Sequence, residues 1–572
     1  LQLSNGFIQQ NSLKTPPVVI GNYVFDGICQ DLFFIENKKL LKGAVSLHNG
    51  DCSIDETRFP DMDIPFCNLS IDYDKETINA RPYQRNDWND SLEYYRSSMN
   101  NCSLLFPSSA LLMIERIRQF GNGMLLLSAD RGTNDLSLLQ EYTTPSFAFH
   151  GSFSLPVNYH TIGQSFVHNN GVVWYNPQRN SGLAMICAAD IPGLALRETG
   201  VAAHEHVEEF NIDSFFLVKK TIEMVNTNLD YDKMISFLSL SKWDAKVFAL
   251  FYDVCKNRLP DENIRIRNEW AGVIRKVWER YLPIGEQQDF AFELASIAAK
   301  MNFWKLAAFL YEESLQYNGD HEVTHFNCAI AYCQLAWYSK ALVHYSKAID
   351  INPEDERYFS KRDILVQLCT SSVNRGLSER MSASEDKQDA ICITLLGLHF
   401  AKTLYTLQQN NEIRKLTRLK ALNSIKETKI WIKEQLDRNN KITFAVVHPE
   451  HGLIGVVALE FSGKGALFYY WIGEEYQNRG YGTEALRLLI QYAQNRGIEY
   501  LYSSVFVSNS RSLQVLKSLE FSKVESVSDY DGEKLEYYYR PVITMHITDD
   551  VEQRRILDNL LENISSKTVN HS

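Results

Sequence analysis

The sequence lacks the features that mark disulfide-bonded and zinc-binding proteins. Its ten cysteines are scattered between Cys29 and Cys392, without a Cys-x-x-Cys pair, and none follows Cys392. This spacing excludes a disulfide framework and a Cys-pair zinc site, and it favours reduced thiols in a cytoplasm. His204 and His206 are separated by one residue, whereas a His-Glu-x-x-His site separates its histidines by three, so no metal site is predicted.

Long apolar runs and an excess of positive charge are also missing. No run approaches the ~20 apolar residues of a membrane-spanning helix, and no charged segment followed by an apolar one opens the sequence. We therefore expect neither a membrane segment nor a signal peptide. The chain has 70 acidic and 58 basic residues, a net charge of −12, whereas general nucleic-acid binding needs a basic face. We expect a cytoplasmic, bacterial protein with no nucleic-acid or membrane partner and an oligomeric state that the sequence leaves open.

With 572 residues the chain is too long for one core, since domains hold roughly 100–200 residues. Changes in residue pattern predict a multidomain α/β protein. Its predicted parts are an α/β region (1–235), a helical region (236–370), a linker (371–389), a mixed α/β domain (390–548) and a helical tail (549–572).

The first region alternates strand-like and helical segments. Residues 16–26 (PPVVIGNYVFD) and 124–130 (MLLLSAD) are typical of buried parallel strands, and 109–123 has helical periodicity. Such alternation predicts a doubly wound sheet, which binds ligands at the carboxyl ends of its strands. The polar residues at those ends are Asn22, Asp26 and Asp130.

Three segments of this region, GNYVFDGICQDLFFIENKKL, LLLSADRG and HGSFSLPVNYHTIGQSF, resemble the distal half of MidA-like methyltransferases. The resemblance implies a partial Rossmann-like sheet and S-adenosylmethionine chemistry. Two departures count against binding. Tyr23 replaces the acidic residue after Asn22, and only about fifteen residues precede Pro16, where the family's glycine-rich first strand and turn should lie. We therefore expect no S-adenosylmethionine binding by this chain alone.

The helical region repeats itself with the 34-residue period of tetratricopeptide units, whose small residues let two helices cross closely. The unit 322–353 has small or aromatic residues at set positions, and stepping back by one period finds similar residues. The matched positions are Cys328, Ala329, Tyr332, Ala341, Tyr345, Ala348 and Pro353, against Leu294, Ala295, Ala298, Ala307, Tyr311, Ser314 and Gly319. The resemblance implies either a spacer or a groove that binds a peptide.

Residues 371–389 are polar and serine-rich and are predicted to be a linker. In the tail, Ile556, Leu557, Leu560 and Leu561 have helical spacing. The helix they predict covers an apolar surface of this chain or of a partner.

The domain 390–548 is predicted to be a mixed sheet. Residues 424–438 form an amphipathic helix with a serine cap, and ITFAVVHPEHGLIGVVALEF forms a hairpin. The strand ALFYYWIG then leads into QNRGYGTEA (477–485), which opens a second amphipathic helix. Glycines let a backbone approach a ligand closely, and a helix start offers unpaired N–H groups, so phosphate is the natural guest of this turn.

This order of elements, with Gln477-x-x-Gly480-x-Gly482, resembles the GNAT acetyltransferases over about 150 residues. It matches neither a dinucleotide fingerprint nor a P-loop. The resemblance implies that acetyl-CoA binds with its pyrophosphate on the turn and its pantetheine arm along strand 468–472. The implied binding residues are Tyr470, Trp471, Ile472, Gln477, Asn478, Arg479, Gly480, Tyr481, Gly482, Thr483 and Asn509.

Within that family the domain looks most like the ribosomal-protein-type N-acetyltransferases, on the segment IRKLTRLKALNSIKETKIWIKEQ and on Asn509-x-x-Ser512. The resemblance implies that Asn509 holds pantetheine or a backbone group and that Ser512 lies near the coenzyme sulfur. Leu516 stands where many relatives have a tyrosine acid, so the proton donor shifts to Ser512 or water. Glu520 replaces the family's usual glycine and alters a turn.

Acyl transfer to an amine needs a base for the amine, an N–H donor for the oxyanion and an acid for the thiolate. Glu460 and Glu474, or Glu475, are the candidate bases, acting directly or through water, and Ser512 is the candidate acid. We therefore expect an acetyl-CoA-dependent N-acetyltransferase whose acceptor is a protein or peptide docked by the repeats. A small-molecule amine, a non-catalytic repeat scaffold, and a methyltransferase lacking its first half are the alternatives.

Overall fold

A computed structural model describes residues 13–49, 70–149, 153–178, 183–225, 229–283, 287–378, 390–417, 421–530, 533–543 and 550–568, with short stretches at 2–3, 6–7, 52–53, 285 and 380–382. The chain divides into two compact units, Leu1–Val225 and Asn226–Ser572. Among the described residues, none of the helices combines the length and the apolar character that crossing a membrane requires.

The first unit contains strands and helices, but they do not alternate regularly as predicted: in the described residues seven strands precede the first helix. Its strands are β1 (Gln2–Leu3), β2 (Gly6–Phe7), β3 (Val18–Asn22), β4 (Asp31–Glu36), β5 (Lys39–Asn49), β6 (Cys52–Ser53), β7 (Ser70–Thr77), β8 (Cys102–Phe106), β9 (Leu125–Thr133), β10 (Ala148–Phe149), β11 (Phe153–Ser154), β12 (Val157–Asn158), β13 (Val172–Tyr175) and β14 (Leu183–Ala189). Its helices are α1 (Asn86–Ser98), α2 (Ser108–Arg118), α3 (Leu136–Glu141), α4 (Tyr159–His168), α5 (Arg197–Ala203), continued by a π-helical turn (His204–Glu209), and α6 (Ile212–Val225).

Two five-stranded sheets organise this unit. In one, β9 pairs in parallel with β3 and β12 and antiparallel with β14, which continues to β13. The other is antiparallel and joins β6, β5, β4 and β8, with β7 on β5. The sheet around β9 is thus mixed, and the uniform parallel pairing of a doubly wound sheet is found only between β9 and its neighbours β3 and β12.

The predicted buried strand at 16–26 is an edge strand. It does pair in parallel with β9, but Val18 is 68% exposed and Ile20 is 71% exposed. The prediction of burial was wrong. An apolar run predicts that a strand joins a sheet, but its burial depends on whether other strands and helices cover it. In the described residues β3 pairs with β9 alone.

The predicted cluster at the strand ends is built around Asp130. Its buried carboxylate accepts hydrogen bonds from the N–H groups of Val24 (3.1 Å) and Phe25 (2.9 Å). Burial, the first cause, and the charge of Asp26 raise the pKa of Asp130 to about 6. The residue therefore fixes the loop that follows β3, which is a structural task.

The second unit opens with nine helices in its described part. They are α7 (Tyr231–Leu240), α8 (Ala245–Ala249), α9 (Tyr252–Arg258), α10 (Ile264–Arg280), α11 (Phe290–Lys300), α12 (Trp304–Asn318), α13 (Glu322–Gln334), α14 (Tyr338–Ile351) and α15 (Glu356–Asn374). Helices α12 and α14 begin 34 residues apart, as do α13 and α15. The alanines of the repeat pattern are fully buried where these helices cross, so the predicted period is present in the helices.

The boundaries of the helical region differ from those predicted. Helix α7 runs through residues 235 and 236, and helix α15 extends to Asn374. Part of the predicted linker is therefore ordered: Arg375 donates a hydrogen bond to the carbonyl of Lys441 (3.2 Å). Composition missed this because the residues are polar but anchored by long-range contacts. Residues 383–389 lie outside the described residues.

The rest of the second unit is built on one eight-stranded sheet. Its strands are β15 (Met381–Ser382), β16 (Cys392–Leu395), β17 (Lys441–His448), β18 (Gly452–Ser462), β19 (Gly465–Ile472), β20 (Tyr500–Phe506), β21 (Ser522–Tyr530) and β22 (Glu533–Pro541), and its helices are α16 (Ala401–Leu407), α17 (Asn411–Thr417), α18 (Ile425–Asp437), α19 (Tyr481–Asn495), α20 (Ser510–Ser518) and α21 (Asp550–Thr568). The order is β15-β16-β17-β18-β19-β20-β22-β21, and β19–β20 is its parallel pair.

The tail helix α21 packs on this same sheet. Leu557 and Leu560 are buried among residues of β20 and β22, and Gln553 accepts a hydrogen bond from the hydroxyl of Tyr502 (2.6 Å). The sequence left open whether the tail helix covers a surface of this chain or of a partner. In the structure α21 covers a surface of this chain.

Candidate functional site

The site lies where the two parallel strands separate. β19 and β20 pair from Gly465↔Tyr500 to Phe468↔Ser503, and the described pairing ends there. A cavity of about 660 Å³ opens beyond this point. It is lined by both strands, by the turn 476–483, and by α17 and α20. Its volume falls in the ~300–1,000 Å³ range of small-molecule and cofactor sites.

The glycine turn closes one side of this cavity. Asn478 and Gly480 have positive φ angles of 61° and 82°, and α19 begins directly after them at Tyr481. Gln477 ties the turn to its neighbours: its amide donates to the carbonyl of Ile472 (2.9 Å) and accepts from Arg511 (2.7 Å). The turn is therefore held from the end of β19 and from α20 before any ligand arrives.

The N–H groups of the turn suit an anion. The first N–H groups of a helix have no partner within it, and they carry the positive end of its dipole. Tyr481, Gly482 and Thr483 supply these groups and line the cavity. A Cβ on Gly480 would meet no atom of the protein within 4 Å, so the space beside it is free for a ligand. A Cβ on Gly482 would come within 3.1 Å of the Tyr470 ring. These residues fit the pyrophosphate that the sequence predicts there.

Ser512 and Tyr470 meet inside the cavity. The hydroxyl of Tyr470 donates to Oγ of Ser512 (3.3 Å), and burial raises the pKa of Tyr470, so the phenol is protonated at neutral pH. Because Ser512 Oγ accepts this bond, its own hydrogen is free to point elsewhere. Asn509 caps α20 by accepting from the N–H of Ser512 (3.1 Å). Asn509 thus holds a backbone group of this chain, and a contact with pantetheine stays a prediction.

The two predicted bases lie apart from the cavity lining. Glu460 is 14% exposed and is close to Arg438 (3.7 Å) and Lys441 (4.0 Å). Glu474 accepts a hydrogen bond from Asn410 (2.6 Å). Among the described residues that line the cavity, Glu412 on α17 is the carboxylate. The sequence pattern gave no signal for it, because α17 is short and lies far from the motif.

The structure brings together the other predicted residues. The lining contains Tyr470, Trp471, Ile472, Gln477, Asn478, Gly480, Tyr481, Gly482, Thr483, Asn509 and Ser512. Arg479 is exposed and lies outside the lining, although it is close enough to His448 to lower that residue's pKa. Arg511, which the sequence analysis did not select, joins the site through Gln477.

A histidine supports the turn from behind. His448 Nδ1 accepts the N–H groups of Glu450 (3.1 Å) and His451 (3.3 Å), and Nε2 lies 3.1 Å from the hydroxyl of Tyr481. Burial, and secondly Arg479, lower the pKa of His448 to about 4, so the ring is neutral at pH 7. With Nδ1 accepting, Nε2 carries the hydrogen and donates to Tyr481. The Tyr481 hydroxyl then keeps its own hydrogen for a partner in the cavity.

The helical region braces the same turn. Arg267 of α10 forms an ion pair with Glu475, two residues before Gln477, and also donates to the carbonyls of Glu262 and Met301 (both 3.0 Å). The β17–β18 turn is held as well, because Glu450 pairs with Arg275 (2.6 Å). A Cβ on Gly452 would lie 2.8 Å from the carbonyl oxygen of Gln334, so that position requires glycine.

Breaking this brace should loosen the turn. We expect Glu475→Gln to raise the KM for acetyl-CoA about tenfold, equivalent to ~1.4 kcal/mol, with kcat little changed. Removing one partner of a fully buried pair costs about 3–5 kcal/mol. We expect the lower value of ~1.4 kcal/mol here because the Glu475 side chain is 36% exposed. Steady-state kinetics measure the effect. Glu499→Gln, which breaks the Lys464–Glu499 pair beyond the other end of α19, is the matched control. An unchanged KM in Glu475→Gln would contradict the brace.

No group of three or more His, Cys, Asp or Glu side chains suited to a metal ion occurs in the part of the chain that the structure describes. His204 contacts a neighbouring side chain of its own helix: its Nδ1 lies 2.8 Å from a carboxylate oxygen of Glu208.

Comparison with known proteins finds a family model that matches the segment containing this site. Residues 394–522 match the model of the acetyltransferase (GNAT) domain. Similar solved structures include a ribosomal L7/L12 alpha-N-protein acetyltransferase, RimL, in complex with coenzyme A (18% identity, TM-score 0.26, 28% of this chain and 97% of that one). Another is the microcin C7 self-immunity acetyltransferase MccE in complex with acetyl-CoA and AMP (22% identity, TM-score 0.25, 28% of this chain and 98% of that one). A third is the Vibrio cholerae spermidine N-acetyltransferase in complex with CoA and spermine (18% identity, TM-score 0.24, 26% of this chain and 95% of that one). No curated protein matches the chain.

The match confirms a GNAT acetyltransferase domain at residues 394–522, within the predicted 390–548, and this domain supports N-acyltransferase activity. The ribosomal-protein-type assignment, the tetratricopeptide assignment and the MidA-like assignment stay predictions.

Proposed function

We propose that this N-acyltransferase moves the acetyl group of acetyl-CoA to an amine of a protein or peptide. The observation that carries the proposal is the cavity between the separated ends of β19 and β20. Bare amides lie at one side of it and the Tyr470–Ser512 pair lies within it. Acetyl-CoA supplies the activated acyl group as a thioester, and the chain's own residues bind, orient and move protons.

In the proposed reaction the amine nitrogen attacks the thioester carbonyl, a C–N bond forms and the C–S bond breaks. The thiolate that leaves takes a proton from Ser512 Oγ, toward which Tyr470 donates. Ser512 is then reprotonated through water by the proton that the attacking nitrogen loses as the amide forms. Such general acid catalysis contributes about 10²–10⁴ in rate. The exposed carboxylate of Glu412 attracts the incoming ammonium and takes its proton, directly or through water.

A polypeptide acceptor is favoured by the position of the helical repeats. They belong to the same compact unit as the cavity and contact the glycine turn through Arg267 and Glu475. A binding surface on the repeats would therefore lie on the module that also fixes the cofactor turn. A small-molecule amine needs no such surface.

Calorimetric titration with acetyl-CoA tests the first step, since a non-catalytic scaffold would give no heat of binding. Release of free thiol is then measured with peptides that carry a free N-terminus or a lysine, and with a polyamine as the small-molecule control. Turnover with peptides supports the proposal. Turnover with the polyamine alone contradicts the polypeptide acceptor, and no turnover with any amine contradicts the transferase activity.

A further inference from the structure

A second cavity lies in the same unit, between α14, α15 and α18. Its volume is about 310 Å³. Its floor is apolar and closely packed, since Cys333, Tyr345 and Leu365 are each about 2% exposed. Nothing in the acetyl-transfer mechanism uses this space. We call it the lysine cavity, after Lys361, Lys426, Lys429 and Lys433 at its mouth.

The four lysines are exposed, and in the described part of the chain none of them has an ion pair. Two nearby acids are engaged elsewhere: Asp363 pairs with Arg362 (3.0 Å), and Glu427 accepts from the N–H of Asn423 (2.8 Å). Glu434, beside Lys433, is exposed. Burial, and secondly Lys429, lower the pKa of Lys361. The chain as a whole is acidic, with a net charge of −12. Four lysines around one cavity are therefore a local exception, and their positive field attracts an anion.

The spacing of the lysines indicates the shape of that anion. Lys426, Lys429 and Lys433 follow one face of α18, and the first and last are separated by roughly 10.5 Å of helix at 1.5 Å per residue. A single phosphate cannot reach all three. An extended peptide rises about 3.3 Å per residue and turns alternate side chains to one face, so two or three of its carboxylates match the row.

The rim adds an apolar feature to the charges. Ile430 lies between the lysines on the same helix and is 50% exposed, and Ile364 and Leu398 continue this surface into the cavity. An apolar side chain flanked by carboxylates would fill the cavity while its neighbours meet the lysines. A polyphosphate or a nucleic acid backbone has charge without such a side chain.

We propose that the lysine cavity binds an extended, acidic polypeptide segment with one apolar side chain seated in the cavity. The inference rests on the proposed function in one respect: the segment belongs to the acceptor protein, which gives that acceptor an acidic docking sequence. The binding itself requires no acetyl transfer.

The test uses the full chain without acetyl-CoA and a fluorescently labelled peptide of alternating Asp or Glu with one Leu. Fluorescence anisotropy gives its Kd. We expect the double variant Lys429→Glu, Lys433→Glu to bind at least about tenfold more weakly, since close opposite charges become like charges. Binding should also weaken with salt and when Leu is replaced by Asn in the peptide.

Lys534→Glu is the matched control, because Lys534 is exposed on β22 and has no ion pair within the described residues. Equal Kd values for the wild type and the double variant would overturn the proposal. So would an equal loss in Lys534→Glu, which would indicate net charge alone, or preferential binding of polyphosphate or single-stranded RNA. Binding of this peptide by a chain that turns over none of the amines tested above would overturn the proposed function and leave this site standing.

Discussion

Replacing Gly480 with Val is expected to weaken coenzyme A binding about 100-fold. The φ of Gly480 is 82°, which a β-branched residue avoids, and the space beside it contains no atom of the protein within 4 Å. A side chain there would occupy the volume that the pyrophosphate needs and would shift the N–H groups that follow. A 100-fold change is about 2.7 kcal/mol, which the loss of one charge-assisted hydrogen bond, at about 1.5–3 kcal/mol, accounts for. Calorimetric titration with coenzyme A measures it.

The chain provides a close control for this variant at the other end of α19. Gly497 has φ of 78° and also has nothing within 4 Å of a built Cβ. Gly497→Val therefore introduces the same backbone strain without entering the cavity. We expect both variants to lose similar thermal stability, with only Gly480→Val losing affinity. Equal affinity loss in the two would mean that strain, and not obstruction, explains the result, and the turn would lose its assigned role.

Gly482→Val would be harder to interpret. Its Cβ would approach the ring of Tyr470 at 3.1 Å, so the new side chain would disturb the Tyr470–Ser512 pair together with the turn. The two glycines of the motif thus serve different neighbours: Gly480 leaves room for a ligand, and Gly482 leaves room for a side chain of the site.

The elements around the turn were predictable because their signals are local. Ser424 accepts the N–H of Glu427 (3.1 Å) and starts α18 as its capping position predicts. The β17–β18 hairpin, the strand β19 and the helix α19 each follow from a short pattern of apolar and turn residues. The eleven predicted residues that line the cavity lie together for the same reason, since most of them belong to two adjacent segments of the chain.

The base candidates and the brace depend on contacts that are distant in sequence. Glu460 was selected as the acid at the end of a strand, yet its neighbours across the sheet are Lys441 and Arg438. Glu475 pairs with Arg267, 208 residues away. No periodicity or motif reports such a pairing, because each partner alone is an ordinary charged residue on a helix or a turn.

The brace changes how the repeats contribute to function. A spacer would contact the catalytic domain at its ends, whereas here α10 pairs with the cofactor turn and α13 lies against Gly452 of the adjacent hairpin. His448 completes the connection, because its turn contacts the helical region on one side and Tyr481 on the other. A ligand that moved α10 would therefore alter the geometry of the N–H groups at the start of α19.

Replacing Ser512 with Ala is expected to lower kcat about 100-fold, within the range of general acid catalysis, while the Kd for acetyl-CoA stays the same. The Ser512 hydroxyl lines the cavity, and because it accepts from Tyr470 its own hydrogen is free to be donated. The helix itself should be unaffected. Asn509 caps it through the backbone N–H of Ser512, which alanine retains. Steady-state kinetics give kcat, and calorimetry gives Kd.

Two further variants separate proton donation from local structure. Tyr470→Phe removes the donor to Ser512 but leaves the serine hydroxyl in place, so a loss of about tenfold in kcat is expected, smaller than for Ser512→Ala. Ser508→Ala removes an exposed hydroxyl that donates to Glu533 (3.0 Å) just before the same helix, and its kcat should match the wild type. If Ser512→Ala instead raised Kd with kcat unchanged, Ser512 would be a binding residue, and the thiolate would have to take its proton from water.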